Sequence, residues 1–317
     1  MTDTTPILQS APAEAPVRMM RGVLFGLLAV LLWAGSMAYS RQGIQMGLSP
    51  ADILVIRFGV SGLVLLPWLL RAGIGDLAGV GWPRGIALTL CAGVGFVFLG
   101  AAGYMFTPLS HGAVIQPSTA SLGGLLVGWL FLGERMTSSR TIGTLLVVSG
   151  VALIASRSLM MAEAMPDAWI GDLIFVGAGL CWVGFTVAVR QWKIGSMAAA
   201  SIVAVLSAAI VLPGFLMLGT FDRLAALPWH AIAGQALFQG LGAGIIAIAA
   251  FTRAVTDLGT ARAALFPGIV PAATLAVGIP VTGEFPTTTE ALGALLASLG
   301  LTVGLGALDR RRVQAQA

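Results

Sequence analysis

Ten apolar runs, each close to the thickness of a bilayer, follow one another almost to the end of the chain. They lie near 22–40, 53–70, 85–107, 112–132, 141–157, 169–189, 197–219, 230–252, 260–282 and 290–307. About 20 residues of helix cross the hydrocarbon layer. In lipid every backbone donor and acceptor must be satisfied within its own segment, so each run is forced into a helix. Only 9% of the 317 residues are charged and 57% are hydrophobic. Soluble domains carry about 25% charged residues, so this chain cannot coat a soluble surface. The pattern predicts an all-α polytopic membrane protein with ten transmembrane helices. The division between the third and fourth runs rests on a connector of only Thr107 to His111.

The flanks and loops set the orientation. Residues 1–20, rich in Pro, Ala, Ser and Thr, read as a disordered cytoplasmic tail, and 308–317 as a basic one. The first run is long enough to be an uncleaved span rather than a signal peptide. With both termini in the cytoplasm, 13 of the 17 Lys and Arg residues fall on the cytoplasmic side. Arg41, Arg157 and Arg223 fall outside and Arg57 lies within a span. Losing or adding one span would break this positive-inside alternation. The basic residues are scattered at the ends of apolar runs, which excludes a nucleic-acid partner and leaves the lipid bilayer. Cys91 and Cys181 sit inside apolar runs and read as small buried hydrophobes.

The chain repeats itself. At an offset of 149, Gly22, Leu24, Ala29, Leu31, Trp33, Gly35 and Arg41 match Gly171, Leu173, Ala178, Leu180, Trp182, Gly184 and Arg190. At an offset of 150, Pro117, Gly133-Glu134, Gly143 and Gly150 match Pro267, Gly283-Glu284, Gly293 and Gly300. The repeats are read as 21–158 and 168–307, five spans each. Five is odd, so the second copy enters the membrane from the opposite side. Two inverted five-helix repeats give two similar conformations facing opposite compartments, which alternating access requires.

Several of these residues carry a family resemblance. They are Trp33-Ala34-Gly35, Ser49-Pro50 followed by Arg57, Pro117, Leu132-Gly133-Glu134 and the glycines of the fifth run. Trp182, Pro267 and Gly283-Glu284 repeat the pattern in the second half. Over about 20 to 307 the chain resembles the EamA-like transporters of the drug/metabolite transporter superfamily. The resemblance implies a cavity between the halves, lined by the third, fourth, eighth and ninth helices, and export of amino acids, metabolites or drugs. The chain departs from the repeat at Arg57, which nothing in the seventh helix matches.

The candidate substrate-binding residues are the polar and aromatic side chains inside spans. Arg57 suits a carboxylate, because its guanidinium fork binds one with two parallel bonds. It also suits a bundle-locking role. Gln235 and Gln239 are four residues apart and share a helix face. Gln116 and Ser118 flank Pro117, and Pro117, Pro267 and Pro271 are expected helix breaks, since proline frees a backbone carbonyl that must face a cavity. Trp33, Tyr104, Trp182 and Phe238 complete the set and favour an amphipathic substrate. Interhelical packing is the competing reading for each of them. His111 and His230 read as solvated interfacial residues, and Glu134 and Glu284 as structural caps.

Other function classes lack their chemistry. There is no HExxH, no mid-span Asp or His for intramembrane hydrolysis and no mid-span Lys for a retinal Schiff base. No catalytic residue, cofactor or metal is expected. No acidic residue lies near a span centre, which argues against a cationic-drug/proton exchanger and for weak proton coupling. The alternative is a sugar-phosphate or nucleotide-sugar carrier, or a drug efflux carrier; phosphate substrates would want several cationic groups, and Arg57 would be joined by Arg262 only with a deeper ninth helix. The expected function is export of small metabolites, foremost amino acids, across a bacterial inner membrane.

Overall fold

The computed structural model describes residues 14–133, 136–160, 165–218 and 224–304, and these residues form an all-helical bundle. The helices are α1 (Glu14–Gln45), α2 (Pro50–Ala72), α3 (Trp82–Gly103), α4 (Leu109–Leu132) and α5 (Ser138–Met160). They continue with α6 (Ala168–Gln191), α7 (Ser196–Leu218), α8 (Trp229–Leu258), α9 (Leu265–Thr282) and α10 (Thr288–Thr302). Among the described residues nine helices are long and apolar enough to cross a membrane. The exception is α10, whose 15 residues reach about 22 Å at 1.5 Å per residue. Large apolar side chains such as Leu63, Phe131 and Met217 point outward, 69%, 78% and 86% exposed. In water such a surface would aggregate, whereas lipid tails solvate it.

Two boundaries differ from the sequence reading. Helix α1 begins at Glu14, so residues 14–20 of the expected disordered tail are helical. The added turns are held because Arg21 donates to both carboxylate oxygens of Asp257 and Arg18 donates to the Thr256 carbonyl, both at the end of α8. Glu134, Arg135, Arg223, residues 1–13 and the expected basic tail at 308–317 lie outside the described residues.

Packing follows the repeat. Helix α1 lies against α8 and α9, and its counterpart α6 lies against α3 and α4. Helices α2 and α7, α4 and α9, and α5 and α10 each pair with their own counterpart. The α5–α10 contact is backbone on backbone: Gly143 meets Gly300, and Gly150 meets Gly293. A Cβ added at Gly150 would lie 2.5 Å from the Gly293 carbonyl oxygen, and one at Gly143 2.6 Å from that of Gly300. Rising numbers on one helix meet falling numbers on the other, so these equivalent helices run antiparallel. Thr137 and Thr287 cap α5 and α10 in the same way, accepting from the backbone N–H of Arg140 at 3.3 Å and of Glu290 at 3.4 Å.

The helix irregularities are also matched, but not at the prolines. Helical geometry runs through Pro117 and Pro271 without interruption. Pro267 lies in the first turn of α9, after a short helix Thr260–Ala263 and a turn at Ala264. There the missing N–H and the ring do least damage. The departures from α geometry are π-helical segments, Thr89–Gly95 in α3 and Ala236–Ile246 in α8. At an offset of 150 the first falls inside the second. Gly93 kinks α3 with φ −88° and ψ −106°. The expected interruptions thus sit one helix earlier in each repeat, where clustered glycines loosen the backbone.

Candidate functional site

Helix α8 lays Gln235, in the turn before its π-helical segment, and Phe238 and Gln239, within that segment, onto α1. Gln239 Nε2 donates to the Ser36 carbonyl at 2.9 Å and to Ser40 Oγ at 2.6 Å. Its Oε1 accepts from Arg57 Nη1 at 3.1 Å. Gln235 Nε2 donates to the Tyr39 carbonyl at 2.5 Å. A Cβ at Gly43 would come within 2.8 Å of that nitrogen, so the glycine admits the amide. Phe238 lies against Gly35 and stacks on Tyr39 with ring centroids 4.4 Å apart. Four predicted residues, Arg57, Gln235, Phe238 and Gln239, therefore share one region with Ser36, Tyr39 and Ser40 of α1. The shared face of the two glutamines meets α1 backbone, so both amides serve helix docking. Ser36 and Ser40 escaped the sequence reading, although their spacing of four beside Trp33 put them on one face.

Arg57 is half-buried within α2, with its guanidinium 5.9 Å from the Phe58 ring centroid. Among the described residues no carboxylate lies within salt-bridge reach of it, and its hydrogen-bond partner is a neutral amide. One donor of the fork is used; the others remain available to an anion. Other polar side chains within the helices are also unused. The buried Gln116 amide faces Gly100 and makes no hydrogen bond to another described residue. Ser118 Oγ and Gln235 Oε1 are buried without partners. Native proteins rarely leave buried polar atoms unsatisfied without a functional reason.

The remaining predicted aromatics lie elsewhere. Trp33 packs on Phe251 at 5.5 Å, among alanines of α1 and α8. Trp182 packs between Phe96 and Phe185 at 4.8 and 5.3 Å. Tyr104 is 1% exposed, edge-on to Phe175 at 4.9 Å, with its hydroxyl unpartnered. No group of three His, Cys, Asp or Glu side chains among the described residues could hold a metal ion.

A second polar region closes one end of the bundle, around the first turn of α4. Leu109 N–H donates to Glu284 Oε2 at 2.8 Å and Ser110 Oγ donates to Glu290 Oε1 at 2.8 Å. His111 Nδ1 lies 2.7 Å from Asp172 Oδ1; a carboxylate only accepts, so Nδ1 carries the proton. Ser158 Oγ donates to the other Asp172 oxygen at 2.6 Å. Glu284 also accepts from Arg41 Nε at 2.7 Å and from Gln45 Nε2 at 2.9 Å. Arg41 Nη1 in turn donates to the Tyr104 carbonyl at 2.6 Å. His111 is thus not a solvated interfacial residue: it is 1% exposed and paired. Its burial follows from the crowding of α4, α5 and α6 at this end, which hydropathy cannot register.

A duplicated all-helical bundle of apolar, span-length helices with matched helix irregularities and a part-buried arginine–glutamine pair suits a membrane carrier. The EamA-like transporter family matches the chain twice, over residues 20–156 and 169–305. The chain belongs to that family of membrane transporters. It is similar to the "Uncharacterized inner membrane transporter YhbE" of Escherichia coli strain K12, 25% identical over 174 residues that cover 53% of each chain. The Shigella flexneri protein of the same name matches equally. The chain spans about half the length of the curated relatives it matches. Its fold is similar to that of a protein of known crystal structure, with TM-score 0.57 and 21% identity, over 92% of this chain and 98% of that one.

Proposed function

We propose that this protein exports small metabolites, foremost amino acids or related amphipathic compounds, by alternating access across a bacterial inner membrane. In this reading α10 is the tenth span, the two five-helix repeats are inverted, and both termini face the cytoplasm. The observation that carries the substrate assignment is Arg57, a guanidinium within a span whose bonded partner is the neutral Gln239. An uncompensated charge away from water is costly, and a substrate carboxylate offsets that cost when it binds. Gln239 acts as a positioning residue, fixing the fork against Ser36 and Ser40. The Gln116 amide and the partnerless Ser118 Oγ and Gln235 Oε1 supply neutral hydrogen bonds to the rest of the substrate. Phe238 supplies apolar surface, while Trp33, Trp182 and Tyr104 pack the bundle around it. The π-helical segments of α3 and α8 stand in for the proline breaks expected at Pro117, Pro267 and Pro271.

A sugar-phosphate carrier would need more than one cation to meet a dianion, and a cationic-drug exchanger would need a carboxylate near mid-bilayer. The test is efflux from liposomes containing the purified protein and a panel of labelled amino acids. Carboxylate-bearing amino acids should leave down their gradient, their amide derivatives should not, and an imposed pH gradient should not drive uphill accumulation. No movement of any carboxylate-bearing compound overturns the substrate assignment. Uphill transport driven by protons overturns the uncoupled mechanism.

A further inference from the structure

Helices α1 and α8 overrun the hydrocarbon together at one corner of the bundle. Helix α1 has 32 residues and α8 has 30, about 48 and 45 Å at 1.5 Å per residue, against a hydrocarbon layer of about 30 Å. Charged side chains are costly in hydrocarbon, so Arg18 and Arg21 of α1 and Arg253 and Asp257 of α8 place this corner at headgroup depth. Gly22 lets the two helix ends meet: a Cβ there would lie 2.6 Å from Leu258 Cγ and 2.9 Å from Asp257 Cβ.

Three guanidiniums converge on the one carboxylate. Arg21 Nε and Arg253 Nε reach Asp257 Oδ2 at 2.8 and 3.3 Å, and Arg18 Nε lies 3.7 Å from Oδ1. The Asp257 side chain is 2% exposed, while those of Arg18, Arg21 and Arg253 are 59%, 46% and 46% exposed. A shielded carboxylate thus aligns three accessible forks. Each guanidinium carries five N–H donors, more than two carboxylate oxygens can take up. The four residues hold a surplus of two positive charges. An apolar stripe leads up to them. Val17, Met20, Leu24, Leu28 and Leu31 are exposed and follow one another at spacings of three and four, so they share one face of α1. Arg21, four residues after Val17 and three before Leu24, borders that face.

We infer that this corner binds an anionic phospholipid, its phosphate held by Arg18, Arg21 and Arg253 and its acyl chains lying along the α1 stripe. Guanidinium forks match phosphate oxygens, and basic sites between spans take up anionic headgroups. The stripe favours a lipid over a soluble anion, which has no use for apolar surface beside its charge. Arg18 and Arg21 belong to the first repeat and Arg253 to the second, so the headgroup bridges the two. Neither the transported substrate nor the direction of transport plays a part in it.

The experiment is native mass spectrometry of the full chain, purified in an uncharged detergent and given equal amounts of phosphatidylglycerol and phosphatidylcholine. Phosphatidylglycerol should dominate the lipid retained. Arg18→Gln and Arg253→Gln should each lower its retention about fivefold. Arg71→Gln, which neutralises an exposed arginine at the end of α2, should leave it unchanged. Inorganic phosphate added at millimolar concentration should not displace it. Equal retention of the two lipids overturns the inference, and so does unchanged retention in Arg18→Gln. That variant leaves the 2.8 Å pair of Arg21 with Asp257 in place, so it tests the site even if Arg253→Gln does not fold. An equal loss in Arg71→Gln would reduce the effect to the diffuse pull of a basic surface, and displacement by phosphate would make the corner a soluble-anion site. Either result overturns the inference too. Because no transport is read, failure of the substrate assignment leaves this result standing, and the reverse.

Discussion

Replacing Arg57 with methionine is expected to leave folded protein in the membrane while cutting amino-acid efflux on the order of a hundredfold. The two effects separate because of what surrounds the guanidinium. Its bonded partner is the Gln239 amide, 3.1 Å away, and no described carboxylate balances it. Methionine fills similar volume without a charge to desolvate, and replacing buried charge by apolar volume is often neutral or stabilising. Removing one partner of a desolvated charge pair typically costs about 2–5 kcal/mol, which falls on the substrate carboxylate. Arg57→Lys should restore little, since an ammonium cannot form the two-pronged bond and at the same time hold Gln239. Efflux rates beside thermal melting curves make the check. Full efflux by the methionine variant would remove Arg57 from the site. Equal loss of folded protein and efflux would make it a structural lock.

Gly150→Leu is expected to abolish nearly all folded protein, and Gly293→Leu to do the same from the other side of the contact. Overpacking a core usually costs about 1–3 kcal/mol because neighbouring side chains yield. Here the first obstacle is a backbone carbonyl oxygen, 2.5 Å from where a Cβ would stand at Gly150. A carbonyl cannot rotate away without breaking its helix, so α5 and α10 would have to part. Their loss of contact would outrun a total stability of about 5–15 kcal/mol for typical domains. Gly124→Leu is the control, because a Cβ there meets nothing within 4 Å. Monodisperse, detergent-extracted protein is the measurement. Normal yield of Gly150→Leu would mean that the two helices are not in backbone contact.

The architecture was legible because lipid leaves a chain few choices. Uniform apolar runs force helices, and residues such as Trp33 with Trp182 expose the duplication. The site was legible only by residue type. Spacing put Gln235 and Gln239 on one face, but which neighbour that face meets depends on how α8 is rotated, and its π-helical segment sets that rotation. Proline is a strong local signal and points to breaks at Pro117, Pro267 and Pro271. The glycines around Gly93 and Gly242 carry no such mark, and the π-helical segments formed there. His111, Asp172 and Ser158 lie near helix ends where water is the ordinary expectation. Their burial arises from three helices converging, which is a property of the assembled bundle and of no single segment.

The crossing of α5 and α10 has a property that the bonds to the first turn of α4 lack. Exchanging the two repeats turns the contact of Gly143 with Gly300 into that of Gly293 with Gly150, which is the same crossing. In the alternating-access reading proposed above, a contact that maps onto itself would survive an exchange of the open face, while one that does not would be broken and remade on every cycle. The glycine seam would then be the fulcrum of the molecule, bare of side chains so that two helices can stay joined while the rest tilts.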